Sequence, residues 1–393
     1  MPFNFDEMID RRETDSLKYD FAVRRNKPAD ILPLWVADMD FKVPPAVIEA
    51  LTARAQHGIF GYTDGRDAYY SAVQNWFSKH FNWDTQTEWT VKTPGVVFAV
   101  STAVRAFTER GDAVLIQPPV YYPFTEAIQV NERKLVKNEL VYRDGRYSID
   151  FEDFERKIIE NQVKLFILCS PHNPVGRVWT REELTQLGEI CLKHNVLVVS
   201  DEIHADFTYP GHSHTVFASL DTRFAANSIT CTAPSKTFNL ASLQISNIFI
   251  PQRELRRQFK QELTRVGYSQ PNVMGLDACR AAYEHGGPWL DELRTYLLQN
   301  LLFAREYIAQ HIPGVRLVEP EGTYLIWLDF RSLGLSGKML DDLIVYKAGL
   351  WLDAGEMFGD GGEGFQRVNI ACPRATLEEA LSRLARALEE RVR

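Results

Sequence analysis

The chain has 393 residues, of which 45% are hydrophobic, 24% charged and 12% aromatic. This is the composition of a globular protein of two or three domains, and it excludes intrinsic disorder and fibrous repeats. Lys and Arg number 44 against 52 Asp and Glu, so the formal net charge is −8. That charge disfavours a protein that coats nucleic acid or an anionic membrane.

The cysteine spacing and the N-terminal residues predict a cytoplasmic protein. The five cysteines are widely spaced and none lies in a C-x-x-C pair, so neither a disulfide framework nor a thiolate zinc site fits them. The N-terminus lacks the apolar segment of a signal peptide. The apolar runs are far shorter than the ~20 residues that span a bilayer. We therefore expect reduced thiols, a cytoplasmic location and no membrane partner.

The two ends of the chain differ from its middle. The first 45 residues contain Pro28, Pro33, Pro44 and Pro45 and are predicted to form an extended arm. The C-terminal part begins with a long helical stretch and ends in an amphipathic helix, with two strand-like segments between them. The expected organisation is an arm over 1–45 that contributes to the small domain, a large domain over 46–287 and a smaller α+β domain over 288–393.

The middle of the chain alternates short apolar runs with amphipathic stretches. The runs are continuous, which is typical of strands buried on both faces of a mostly parallel sheet. One amphipathic stretch opens with a capping box from Thr180 to Glu183 and is predicted to be a helix. This pattern predicts an α/β domain with helices on both faces of the sheet. The predicted strands are 113–117, 165–169, 196–200, 228–231 and 245–250.

Polar residues follow three of these predicted strands. Asn173 comes after the second strand, Asp201 after the third and Lys236 after the fourth. Ligands of such sheets bind outside the carboxyl ends of the strands, so an amide, a carboxylate and an amine converge on one edge. This set suits pyridoxal 5'-phosphate. The lysine binds its aldehyde, the carboxylate keeps its ring nitrogen protonated, and the amide donates to its phenol oxygen.

A phosphate site is predicted upstream of the sheet residues. The segment Thr-Pro-Gly-Val-Val at 93–97 precedes apolar residues at helical spacing. The start of that helix offers free backbone N–H groups at Val96 and Val97, which suit a phosphate. Ser235, next to the lysine, can add a hydroxyl.

Seven segments of the chain carry a family resemblance. Three of them are Ser-Pro-His-Asn-Pro-Val-Gly at 170–176, Ser-Asp-Glu-Ile-His at 200–204 and Ala-Pro-Ser-Lys-Thr-Phe-Asn at 233–239; the others lie at 34–41, 61–63, 119–124 and 365–374. Together they resemble the fold-type I pyridoxal phosphate enzymes of the aminotransferase class I/II superfamily. More narrowly, they resemble its cystathionine β-lyase branch, the MalY/PatB-type C–S lyases. The resemblance spans essentially the whole chain, and the order and spacing of the segments make it specific.

The resemblance implies a role for each matching residue around the cofactor ring. Lys236 corresponds to the lysine that forms the Schiff base, Asp201 to the partner of the ring nitrogen and Asn173 to the donor to the phenol oxygen. Tyr121 corresponds to the aromatic residue that stacks on the ring, with Tyr122 as the alternative if the register is shifted by one.

The resemblance also implies how the substrate and the phosphate are bound. Arg374 corresponds to the arginine that holds the substrate α-carboxylate, a contact that suits the planar guanidinium. Tyr62 corresponds to a tyrosine that a neighbouring subunit lends to the cofactor phosphate. A homodimer with shared active sites is therefore expected.

Two positions depart from the usual aminotransferase pattern, and both departures fit the C–S lyase branch. His204 stands where many aminotransferases carry a tyrosine that bonds the phenol oxygen; a location near the ring and simple core packing remain equal alternatives for it. Gln244 stands where many carry an arginine for the phosphate.

The expected activity is cleavage of cystathionine or another cysteine S-conjugate to a thiol, pyruvate and ammonia. Tyr121 and Lys236 are the candidates for protonating the leaving sulfur. An aminotransferase is the alternative, and a non-catalytic regulator on the same fold is disfavoured because the polar set is intact. The sequence does not identify the preferred sulfur amino acid.

Two further motifs are expected to lack chemistry. His212 and His214 suggest a metal, but no third ligand is evident, so a surface loop is the favoured interpretation. The glycine-rich segment at 359–364 lacks the ending of a nucleotide P-loop and is predicted to be a mobile loop.

Overall fold

The structure, a computed structural model, describes residues 3–392. Its largest element is a sheet of seven strands in the order β2-β10-β9-β8-β7-β3-β4. The pairs from β9 to β4 are parallel, while β10 is antiparallel to both of its neighbours. The strands are β1 (Leu32–Pro33), β2 (Thr90–Thr93), β3 (Ala113–Ile116), β4 (Lys134–Lys137), β5 (Val141–Arg143), β6 (Arg146–Ser148), β7 (Leu165–Cys169), β8 (Leu197–Asp201), β9 (Ser228–Thr232), β10 (Ser246–Phe249), β11 (Arg316–Val318), β12 (Leu325–Asp329), β13 (Leu350–Trp351), β14 (Asp353–Ala354) and β15 (Phe365–Asn369).

Helices cover both faces of this sheet, as the sequence predicted. They are α1 (Pro45–His57), α2 (Asp67–Phe81), α3 (Val96–Phe107), α4 (Pro123–Gln129), α5 (Phe151–Asn161), α6 (Arg181–Lys193), α7 (Thr222–Ala226), α8 (Pro234–Thr237), α9 (Arg253–Arg265), α10 (Val273–His285), α11 (Gly287–His311), α12 (Gly337–Asp342) and α13 (Arg374–Val392). Helix α6 begins at the predicted capping box, in which Thr180 and Glu183 each bond the other's backbone N–H. None of the described helices is long and apolar enough to cross a membrane.

The continuous apolar runs are explained by the two cores that flank the sheet. In β7, Leu165, Ile167 and Cys169 pack into the core under α3 and α9, whereas Phe166 and Leu168 pack on the opposite side with α5 and α6. Successive side chains of a strand point to opposite faces, so a strand covered on both faces must be apolar throughout.

A second sheet, in the order β11-β12-β15-β14, lies in the C-terminal part of the chain. The 25-residue helix α11 leads to it, and α11 packs against the C-terminal helix α13. The N-terminal segment joins this region, because β1 pairs in parallel with β13. The division at 1–45, 46–287 and 288–393 remains a prediction.

The glycine-rich segment packs against the residues that follow β3. The backbone N–H of Val120 donates to the carbonyl of Phe358 at 2.9 Å, and Lys137 pairs with Asp360 at 2.8 Å. A Cβ on Gly355 would lie 1.9 Å from the carbonyl oxygen of Gly362, so this turn requires glycine. Within the segment itself, Asp360 makes the contact that joins it to the end of β4. The predicted mobility of the segment stays a prediction.

Candidate active site

Lys236 lies on the short helix α8, directly after β9. Its Nζ donates to the carbonyl oxygen of Ala37, in the N-terminal segment, at 2.7 Å. Burial lowers the pKa of Lys236 from 10.5 to about 8; the positive charge of Arg367 acts in the same direction, while Asp38 and Asp201 oppose it. A substantial fraction of this amine is therefore neutral near physiological pH, as a nucleophile or a base requires.

Asp201 is the last residue of β8. In the sheet it pairs with Cys169 of β7 on one side and with Cys231 of β9 on the other. Its Oδ1 accepts a hydrogen bond from the backbone N–H of Ile203 at 3.1 Å. Burial raises the pKa of Asp201 to about 7, against the effect of that hydrogen bond and of the Lys236 charge. A buried carboxylate of this kind is stabilised by a cationic partner.

Asn173 lies in the turn that follows β7 and is buried. Its Oδ1 accepts a hydrogen bond from Nη1 of Arg367 at 3.0 Å. Because the oxygen is held by a guanidinium that has only donors, the Nδ2 group is left as a donor toward other partners. This orientation is the one that the predicted contact with a phenol oxygen needs.

The arginine of this site is Arg367, and the prediction of Arg374 is corrected. Arg374 is the first residue of α13, its Nε donates to Asn300 at 2.9 Å and its guanidinium lies over the ring of Phe303. Arg367, on β15, is instead buried beside Asn173, and its charge acts on the Lys236 amine. The two arginines lie in the same segment, 365–374, but Arg374 at the start of α13 is held by Asn300 and Phe303 instead.

Tyr121 and His204 lie close enough to these groups to be affected by their charges. The charges of Arg367 and Asp201 act on the Tyr121 hydroxyl, whose pKa is raised mainly by burial. His204 is buried, and its ring packs edge-to-face with that of Tyr324, with 5.8 Å between the ring centres. Its Nδ1 has no hydrogen-bond partner among the described residues. Burial and the charges of Lys236 and Arg367 lower the pKa of His204, so its imidazole is neutral.

The predicted phosphate cradle is a helix start. Helix α3 begins at Val96, after Gly95, and the first N–H groups of a helix have no partner within it. Thr93 closes the turn with an Oγ1 contact to the Gly95 carbonyl at 3.2 Å and a 2.6 Å contact to Ser246. Val97 is exposed, and Ser235 is half-buried beside Lys236.

Tyr62 is not brought to Lys236 within one chain. Its side chain is 96% exposed, and it lines a cavity of about 770 Å³ together with Pro94, Gln244 and Asn272. The cavity therefore borders the start of α3, where the phosphate site is predicted.

The prediction of a surface loop fits His212, which is exposed, but it is wrong for His214. His214 is not a surface residue: its Nε2 lies 2.8 Å from the buried carboxylate of Glu202, the residue after Asp201. Glu202 also accepts hydrogen bonds from Ser200 and from the backbone of Phe217. No cluster of three potential metal ligands is found among residues 3–392.

Comparison with known proteins gives the family of this chain. The family model described as aminotransferase class I and II matches residues 29–384. The chain belongs to this family. The cystathionine beta-lyase PatB of Bacillus subtilis is 48% identical over 385 residues, which cover 98% of this chain and 100% of PatB.

Two solved structures share the fold of this class I/II family member along its whole length. Cystalysin from Treponema denticola, which contains a pyridoxal 5'-phosphate cofactor, has a TM-score of 0.96 at 40% identity and covers 99% of this chain and 100% of its own. A pyridoxal phosphate-bound putative aminotransferase from Clostridium difficile 630 has a TM-score of 0.96 at 44% identity, with 98% and 100% coverage. The expected fold, a fold-type I α/β structure with a mostly parallel sheet, is confirmed.

Sequence reasoning missed two buried charged residues of this family member. Arg367 lies in a strand whose other residues are buried, and Asp353 pairs with it across the sheet. A charged residue within an otherwise buried strand needs a partner of opposite charge, and this signal was present at Arg367. Its partner, 14 residues upstream, could be identified only from the sheet register.

Proposed function

We propose that this chain is a pyridoxal phosphate-dependent C–S β-lyase that cleaves cystathionine or another cysteine S-conjugate to a thiol, pyruvate and ammonia. The observation that carries the proposal is the meeting of four polar side chains at one edge of the large sheet, those of Lys236, Asp201, Asn173 and Arg367. The chain that brings them together is 48% identical to a cystathionine beta-lyase over its length.

The donor set fits the cofactor. Lys236 offers an amine with a pKa of about 8, Asp201 a buried carboxylate in need of a cation, and Asn173 a free amide donor. The start of α3 at Val96 and Val97, together with Ser235, would hold the phosphate. Tyr121 would pack on the ring, and His204 would line the pocket as a neutral group.

Each residue has a defined task in the proposed mechanism. When bound, pyridoxal phosphate supplies an electron-withdrawing ring that accepts the electron pair of the substrate Cα–H bond. Arg367 binds the substrate α-carboxylate through charge-assisted hydrogen bonds. Lys236, in its neutral form, takes the Cα proton, and Asp201 keeps a proton on the ring nitrogen. The leaving sulfur takes a proton from Lys236 or from the hydroxyl of Tyr121.

We propose that the enzyme is a homodimer in which Tyr62 reaches the phosphate site of the partner subunit. The support is an exposed apolar segment: Ile59 is 68% exposed, Phe60 59% and Tyr62 96%. Adjacent exposed side chains of this size are typical of an interface. We further propose a cytoplasmic location, because all five cysteines are free and buried.

The test is product analysis with cystathionine and no added 2-oxo acid. The lyase proposal predicts equal amounts of pyruvate, ammonia and thiol from the cofactor-loaded protein, and none from the Lys236→Ala variant. A requirement for a 2-oxo acid as amino acceptor would overturn it in favour of an aminotransferase, the activity attributed to the Clostridium difficile 630 protein.

A further inference from the structure

Asp353 is a buried carboxylate whose partner is the proposed substrate-binding arginine. It begins β14, lies opposite Arg367 of β15 in the sheet register and is 2% exposed. Its Oδ2 accepts a hydrogen bond from Nη2 of Arg367. Burial raises the pKa of Asp353, and the guanidinium opposes that effect. The pair stands directly beside Asn173, which also bonds Arg367.

The contacts of Arg367 leave no complete edge for a second carboxylate. A guanidinium has five N–H groups, and a carboxylate binds best to two parallel ones on one edge. Nη1 donates one N–H to Asn173 at 3.0 Å, and Nη2 donates to the carbonyl of Trp35 at 2.8 Å and to Asp353. The buried Nε has no partner among the described residues. The two edges that can bind a carboxylate are Nε with Nη2 and Nη1 with Nη2. Both include an N–H of Nη2, so each edge already has one donor in use.

One face of the guanidinium is covered, because its carbon lies 4.9 Å from the ring centre of Phe358, and a carboxylate binds the N–H groups in the plane of the guanidinium. An incoming carboxylate must therefore approach along an edge and replace one acceptor on Nη2. The Trp35 carbonyl belongs to the main chain beside β1, whereas Asp353 contributes a side chain. Of the two acceptors, the Asp353 side chain is the one that can turn away.

We propose that Asp353 is a specificity-determining residue. Its carboxylate accepts a hydrogen bond from Arg367 in the free enzyme, and the α-carboxylate of the substrate takes over that hydrogen bond on binding. Binding therefore exchanges one carboxylate for the other. The inference rests on the role of Arg367 under the proposed function. It follows that Asp353 weakens the binding of every α-carboxylate ligand by competition. It also follows that a ligand without that carboxylate does not displace Asp353 and is unaffected by it.

The experiment compares L-alanine with L-alaninamide, which lacks the carboxylate, as ligands of the cofactor-loaded enzyme. Binding is followed by the change in cofactor absorbance, and folding by the melting temperature. Asp353→Asn keeps an acceptor for Arg367 and removes the competing charge, so the Kd of L-alanine should fall about fivefold while that of L-alaninamide stays within about twofold. Asp353→Ser removes the same charge with a smaller side chain and should lower the Kd of L-alanine as well.

The outcomes separate this inference from the proposed function. If the Kd of L-alanine is unchanged or higher in both variants, Asp353 does not compete and the inference is overturned. Arg367→Ala should raise the Kd of L-alanine about tenfold or more, and should raise it more than that of L-alaninamide, which lacks the carboxylate. If it leaves L-alanine binding unchanged, the assignment of the α-carboxylate to Arg367 has failed. If Arg367→Ala weakens binding and neither Asp353 variant strengthens it, only the competition has failed.

Discussion

The amine of Lys236 gives the sharpest test of the electrostatics, because its pKa is lowered from 10.5 to about 8. At pH 8 about half of such an amine is neutral, against about 0.3% for a lysine in water, a ratio of about 150. Only the neutral amine attacks an aldehyde. The rate of covalent attachment of pyridoxal phosphate to the apoprotein should therefore reach half of its maximum near pH 8.

The charges around Lys236 predict the direction in which this midpoint moves. The negative charge of Asp38 stabilises the protonated amine, so Asp38→Asn should lower the midpoint below that of the parent protein. Asp40→Asn is the matched control, because Asp40 shares the partners Arg11 and Lys18 but is not among the charges that act on Lys236.

The assay is the absorbance of the attached cofactor, recorded between pH 6.5 and 10.5 for the three proteins. A midpoint near 10.5, or an upward shift in Asp38→Asn, would refute the assignment of a buried amine facing Asp38. An equal shift in Asp40→Asn would attribute the effect to general disturbance of the N-terminal segment.

Three further predictions concern stability and binding. His214→Ala removes one of three hydrogen-bond partners of the buried Glu202 carboxylate and should lower the free energy of unfolding by about 1–3 kcal/mol, measured in urea; an unchanged midpoint would show that the remaining two partners suffice. Gly188→Ala places a Cβ 2.6 Å from the ring of Phe224 and should cost about 1–3 kcal/mol, seen as a lower melting temperature. Arg374→Ala should leave the Kd of L-alanine within about twofold, because its guanidinium is held outside the pocket; a tenfold rise would restore the original assignment.

The strands could be predicted from the sequence because burial on both faces demands a continuous apolar run. Strand β7 has the predicted bounds, while β8 runs from Leu197 to Asp201 and so includes the aspartate that was placed just beyond it. That the residues after the strands lie near one another could also be predicted, because parallel strands bring their carboxyl ends to one edge of the sheet. The family and the fold class were also confirmed.

The pairing of buried charges could not be predicted, because it depends on contacts between distant segments. Arg367 and Arg374 lie in one motif, and only the start of α13 decides which of them faces the pocket. His214 follows Gly211, His212 and Ser213 in an apparently polar loop, yet it turns inward to Glu202, twelve residues earlier. A single sequence shows which residues carry charge, whereas the fold decides which of them meet.

One physical cause, burial, shifts the pKa values of two titratable groups at this edge of the sheet. Burial raises the pKa of Asp201 to about 7 and lowers that of Lys236 to about 8, so both groups are moved toward neutral pH from opposite directions. An acid and a base shifted in this way each lose part of their charge unless a ligand supplies the opposite one. A protonated ring nitrogen of the proposed cofactor would supply that charge to Asp201 and lower the pKa of the carboxylate again. Under the proposed function, Asp201 would stabilise a cationic ring and Lys236 would offer a neutral amine, which is the combination that proton removal from an amino acid requires.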